Sequence, residues 1–233
     1  MCFKLRDWIK YDKLNLKLLA ANPNAISFLN DKKENIDWDL LSFNEKAISI
    51  LEKNKDKINW LHLSSNKNAI HLIEENLDKI NWYHLSANPS AMNLINNNMD
   101  KINWTRFSNN TNPKAIKILE ENFDKIVWSS LSSNPSAMNL INNNQDKINW
   151  KSLSKNSNAL HLIEKNLDKI DWTNLSLNPS AIGLIEKNLD KISWHLLSLN
   201  PNAISILEKN YNRIDWYSFS TNPSIFIETS VLA

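Results

Sequence analysis

Nine of the ten tryptophans in this 233-residue chain stand on one ladder: Trp38, Trp60, Trp82, Trp104, Trp128, Trp150, Trp172, Trp194 and Trp216. The step is 22 residues, broken once by 24. A fixed period of this size is the mark of an array in which each unit buries its apolar face only against its neighbours. Counting back one period from Trp38 reaches Leu16, which opens an earlier unit and brings the count to ten. The expected architecture is therefore an all-α solenoid of ten 22-residue units, starting at residues 16, 38, 60, 82, 104, 128, 150, 172, 194 and 216, with the last unit truncated. Residues 1–15 read as an N-terminal cap segment and residues 16–233 as one solenoid domain.

With Trp as position 0, the unit reads W-x-x-L-S-x-N-P-x-A-I-x-L-I-E-x-N-L-D-K-I-N. Position 6 is Asn throughout, assigned in the fifth unit to Asn112, and all seven prolines follow this Asn directly. Proline drives the residue before it out of the α region and itself suits a first helical turn. The Asn side chain can cap the helix that follows. That helix, over positions 7–15, carries an apolar stripe at 9, 10, 12 and 13, with the small residue Ala at position 9 in nine units. A second, shorter helix, α or 3-10, starts at Trp. Asn, Asp or Ser at position 21 supplies its N-cap, as in Asp37, Asn59 and Ser193, with Val127 the exception. Ile at position 20 and Leu at position 3 suit a hydrophobic staple across that cap.

A single glycine in the whole chain leaves the turns without their usual left-handed residue. Asn at position 16 is expected to take that conformation at the end of the longer helix, with position 17 packing back on position 12. Stacking ten such units predicts a rod or arc on the order of 90 Å long.

The unit resembles the short Asn-, Lys- and Ile-rich repeats of large paralogous families in giant DNA viruses, over residues 16–233. Its L-S-x-N-P core is also similar to the leucine-rich variant repeat, in which α and 3-10 helices alternate. The first resemblance implies a viral protein of a family without assigned activity. The second implies fold alone.

Composition narrows the function classes. Net charge is +2, and the two signs interleave along the chain, which is not the footprint of a nucleic-acid binder. Cys2 is the only cysteine and supplies neither a disulfide nor a metal cluster. The five histidines lack zinc spacing, and no phosphate-loop, nucleophile-elbow or zincin motif occurs. No apolar run approaches the roughly 20 residues of a membrane span. The reading is a non-enzymatic, intracellular protein with no cofactor and no metal. The Trp ladder is expected to be a buried spine. The recurring Asp-Lys pair at positions 18 and 19 is expected to be a solvated turn with alternating ion pairs.

Function should then reside in the residues that vary between units, at positions 1, 2 and 5 of the short helix and its exit. The candidate partner-binding residues are Phe43, Leu61, Tyr83, His84, Arg106, Leu177, His195, Leu196, Leu199 and Tyr217. Apolar members gather near both ends of the chain, and the middle is polar. The leading expectation is a repeat scaffold that binds a protein through this short-helix face. The alternative is a structural or virion component that self-associates through the apolar C-terminal end, from Ile225 onward, where the polar cap of a solenoid is missing.

Overall fold

A computed structural model describes residues 2–29 and 36–229. It shows repeating short-helix and long-helix units along most of the chain. From the second unit on, each short helix begins at its tryptophan, as in Trp60–Leu63, Trp104–Phe107 and Trp172–Leu175. The residue before Trp is extended, and its side chain accepts from a backbone N–H two or three residues on. Asp37, Asn59, Asn81, Asn103, Asn149, Asp171, Ser193 and Asp215 all cap in this way. Val127 cannot, and its helix Trp128–Leu131 has no side-chain cap. The second helix is compact: Ile70–Glu74 and Ile204–Lys209 are typical, each entered through a turn that follows the position-6 Asn, Asn66 and Asn200. The apolar stripe is buried as the pattern requires. The Leu or Phe at position 3, the Ala at position 9 and the Leu or Ile at position 13 lie at the centre of the core, as with Leu85, Ala91 and Ile95.

The turn at position 16 is built differently from expectation. No residue among those described has a positive φ. Asn54, Asn98, Asn144 and Asn166 sit at φ between −136° and −144°, with ψ near 50°. The side-chain amide does the work instead. Each Asn Nδ2 donates to the carbonyl of position 12, four residues back, at 2.8–3.0 Å, as in Asn54 to Ile50 and Asn76 to Leu72. The helix end is satisfied by a side chain, so neither glycine nor a left-handed residue is needed.

The fifth unit also differs. Asn110, not Asn112, occupies the invariant slot, fully buried and donating to the carbonyls of Ser86 and Asn88. The two extra residues fall after it. Asn112 then caps a lengthened helix, Pro113–Glu121.

The largest departure concerns the ends. There is no rod with free termini: the tenth unit meets the first, and the solenoid closes into a ring. Strand β1 (Cys2–Leu5) pairs antiparallel with strand β2 (Phe226–Thr229), Phe3 opposite Glu228 and Leu5 opposite Phe226. Arg6 N donates to Ile225 O at 3.0 Å, and Arg6 Nε to Ser224 O at 2.7 Å. Residues 2–15 therefore do not cap the array; they complete the truncated last unit. Tyr11–Lys13 forms the 3-10 turn that positions 17–19 form elsewhere, as Tyr211–Arg213 does in the ninth unit. Leu14 takes the buried place of the position-20 Ile, and Asn15 caps the first unit by accepting from Lys17 and Leu18 N–H. Trp8 stacks on Phe219 at 5.9 Å and meets Tyr211 edge-on at 6.3 Å. Ile225 and Phe226 are buried by this closure. The described part of the apolar C-terminal end, Ile225–Thr229, packs against the chain's own N-terminal segment; residues 230–233 lie outside the described residues.

Candidate interaction face

Two polar ladders hold the units in register. The Asn at position 6 is buried in every unit. Its Nδ2 donates to the carbonyls of positions 4 and 6 in the preceding unit, as Asn66 does to Ser42 and Asn44, both at 3.1 Å, with Asn44 bonding to the position-4 carbonyl of Ala20. Its Oδ1 accepts the N–H two residues on, from Asn68 in this case. The Ser at position 4 donates to the Trp carbonyl below it and accepts the N–H of the residue that caps the next short helix. Ser64 does so with Trp60 O at 2.7 Å and Asn81 N at 2.9 Å. The buried polar groups of these ladders are paired, and their geometry fixes the spacing of the short helices. Side chains on those helices are thus presented from a rigid frame.

The tryptophans are not a buried spine. Each is half-buried, and in six units the cation at position 19 covers the open face of the ring. Lys57 lies 4.8 Å from the Trp38 ring centroid, Lys79 4.9 Å from Trp60, and Arg213 5.1 Å from Trp194. These contacts replace the expected alternating ion pairs. Adjacent Asp-Lys pairing occurs at Asp124–Lys125 and Asp146–Lys147, where no such ring contact is seen.

The short-helix face separates by position. Position 1 is exposed in all ten units. Leu61, Tyr83, His195 and Tyr217 stand there, and Tyr217 is 62% exposed. Phe43, at position 5, is 52% exposed. Position 2 is half-buried for His84, Arg106 and Leu196, and position 5 for Leu177 and Leu199. Leu177 and Leu199 therefore lean on the units beside them as much as they face solvent. Closure changes how the face reads. The apolar residues near the two chain ends are neighbours in the ring. Leu177, Leu196, Leu199 and Tyr217 run on through Leu18 and Leu40 to Phe43, Leu61 and Tyr83 as one arc. The opposite arc, from Thr105 through Ser129, Ser130, Lys151 and Lys155 to Asn174, is polar.

Two histidines on this face have opposite settings. His195 Nδ1 lies 3.4 Å from Asp215 Oδ2 and 3.0 Å from Ser218 Oγ. The Asp215 carboxyl is held below the usual range, first by the Ser218 N–H that donates to it and also by His195. His84 has no such acid. Burial, then the Arg106 charge, then His62, push its imidazole below the usual value. The His62 and His84 rings stand 6.4 Å apart, and the Arg106 guanidinium lies 5.2 Å from the Tyr83 ring centroid.

Among the described residues, no group of three His, Cys, Asp or Glu side chains is placed to hold a metal, and no helix is long and apolar enough to cross a membrane. No family model, curated protein or solved structure matches the chain.

Proposed function

We propose that this ring is a non-enzymatic interaction scaffold that binds a partner protein through the apolar arc of its short-helix face. The observation that carries the reading is the exposure of Phe43, Leu61, Tyr83 and Tyr217 on one face of neighbouring units, with Leu18, Leu40 and Leu196 half-buried among them. Large apolar groups held open to water on a hydrogen-bonded frame are what a preorganised binding surface requires. Aromatic residues of this kind supply most of the energy at protein interfaces. The likeness of the unit to giant-virus repeats points to an intracellular partner, from the virus or its host.

The test compares two variants of the full chain as baits in host-cell lysate. Phe43→Asp/Tyr217→Asp alters the apolar arc, and Ser129→Asp/Thr173→Asp alters the polar arc; circular dichroism checks that both fold. A protein retained by wild type and by the polar-arc variant, lost with the apolar-arc variant and confirmed by titration with the purified pair, is the expected result. Equal retention by all three baits would remove the apolar arc as the binding surface.

A further inference from the structure

Position 2 carries Leu18, Leu40, His62, His84, Arg106 and then Ser130 along consecutive units. Three cationic or protonatable groups thus stand side by side, and the surrounding chain provides them with little compensation. The two charges that act on His84, from Arg106 on the following short helix and His62 on the preceding one, are both positive. Its nearest polar partner is the uncharged Ser65 Oγ, 3.2 Å from Nδ1, and Tyr83 on its own helix meets the ring edge-on at 5.3 Å. Arg106 forms no ion pair with a described residue; its guanidinium rests on the Tyr83 ring, and its Nε is buried with no acceptor. Elsewhere several such groups have an acid beside them: His71 has Glu52 at 2.9 Å, Lys67 has Glu45 at 2.7 Å, and His195 has Asp215 at 3.4 Å. Beside this uncompensated row, Leu61 and Tyr83 are exposed.

We propose that His62, His84 and Arg106, edged by Leu61 and Tyr83, form the docking site for an acidic segment of a partner protein in which carboxylates alternate with apolar side chains. This rests on the scaffold reading above and gives its partner a chemistry. The carboxylates would meet the cationic row, and the apolar side chains would cover Leu61 and Tyr83. Nucleic acid fits less well. Positions 1, 2 and 5 of the second to fourth units carry no lysine or arginine, so a phosphate backbone would find few further cations there. Binding of a carboxylate favours the protonated imidazole, so affinity should rise as pH falls through the range where histidine titrates.

The probe is a labelled eight-residue synthetic peptide alternating glutamate with leucine, read by fluorescence anisotropy on the full chain at pH 5.5 and 7.5. Beside it run the same peptide with glutamine for glutamate and an oligothymidylate of similar charge. The expected result is binding of the acidic peptide several-fold tighter at pH 5.5, with the glutamine peptide weak at both. Arg106→Gln should weaken binding about fivefold, the size of a partly exposed charge pair. His62→Gln/His84→Gln should flatten the pH dependence, while Lys151→Gln on the polar arc changes nothing. No binding, equal binding of the glutamine peptide, or tighter binding of the oligothymidylate would each overturn the proposal. If it fails while apolar-arc variants still lose the lysate partner, the acidic specificity is wrong and the scaffold reading stands.

Discussion

The joint between the third and fourth units and the joint between the tenth and the first are made of the same bonds on different chain. At the interior joint, Asn88 Nδ2 donates to Ser64 O and Asn66 O at 3.0 and 3.2 Å, and Ser64 Oγ accepts Asn81 N. At the seam, Asn22 Nδ2 donates to Ser220 O and Asn222 O at 3.2 and 2.8 Å, and Ser220 Oγ accepts Asn15 N at 2.8 Å. The outer link of the seam, Asn24 to Pro223 O, has its counterpart at the joint between the second and third units, where Asn68 reaches Glu45 O. What differs is the layer behind. Interior units place a helix there, whereas the seam places a two-stranded sheet and the Trp8–Phe219 stack. The polar ladder, not the long helix, is therefore the part of the joint that the ring cannot do without. The long helix can be exchanged for another structure that buries the same apolar surface.

The sharpest way to break this equivalence is to remove residues 1–10. The tenth unit would lose its second half, exposing Phe219, Ile225 and Phe226. The melting temperature should fall by roughly 10 °C or more, since a few kcal/mol shifts a chain of this size by that amount. Small-angle scattering should show a larger radius of gyration; an unchanged radius would mean that the termini do not hold the ring. Next in size is a pair of substitutions. Asn88→Leu should cost about 3 kcal/mol in chemical denaturation, because it strands the two carbonyls of Ser64 and Asn66 in a buried site and removes the acceptor of the half-buried Ser90 N–H. Asn22→Leu should cost about the same if the seam is a full joint. A seam cost well under about 1 kcal/mol would mean that the closed form is not the stable one in solution.

Smaller effects test the caps at the entry to each unit. Val127→Asn restores the missing cap between the fifth and sixth units and should raise stability by about 1 kcal/mol, with no change in shape. A loss instead would show that Val127 packing outweighs the cap. The smallest effect is at Asp215, the cap nearest the seam on the other side. Its folded carboxyl titrates below the unfolded one, so its contribution is complete above roughly pH 4 and is lost as pH falls through the depressed value. The side chain is more than a third exposed, so the effect is modest. The melting temperatures of wild type and Asp215→Asn should converge between pH 5 and pH 2.5; a constant gap would assign the cap to geometry rather than charge.

Much of the unit could be read from its pattern. The row of capping residues before each Trp is local chemistry, set by residues two or three apart, and only Val127 lacked it. The core at positions 3, 9 and 13 followed from periodicity. Three features do not follow from the pattern, each for a physical reason. Asn at position 16 can close a helix either by turning left-handed or by folding its amide back, and the letter alone does not choose between them. In the fifth unit, Asn110 and Asn112 both fit the slot, and Asn112 drew the assignment through its proline; burial of Asn110 against Ser86 and Asn88 decides the matter. Closure is signalled by a half-unit motif that contains no Trp. Tyr11-Asp12-Lys13-Leu14-Asn15 repeats the pattern Leu77-Asp78-Lys79-Ile80-Asn81, so the chain begins with the second half of a unit and ends with the first. The candidate face was legible in its positions but not in its continuity, because two patches some 170 residues apart in sequence become neighbours only through the seam.

Closure also bears on how such a chain can grow. The block Ser90–Asn98 recurs as Ser136–Asn144, the pattern that segment duplication leaves. An open array absorbs a copied unit by becoming longer, and no other joint notices. Here the tenth unit is bonded back to the first, and an eleventh would have to be accommodated by shifting the joints between the others. Those others are held by amide-to-carbonyl bonds of fixed length. Duplication is thus free to change residues at positions 1, 2 and 5, whereas a change in the number of units must re-cut the whole circle.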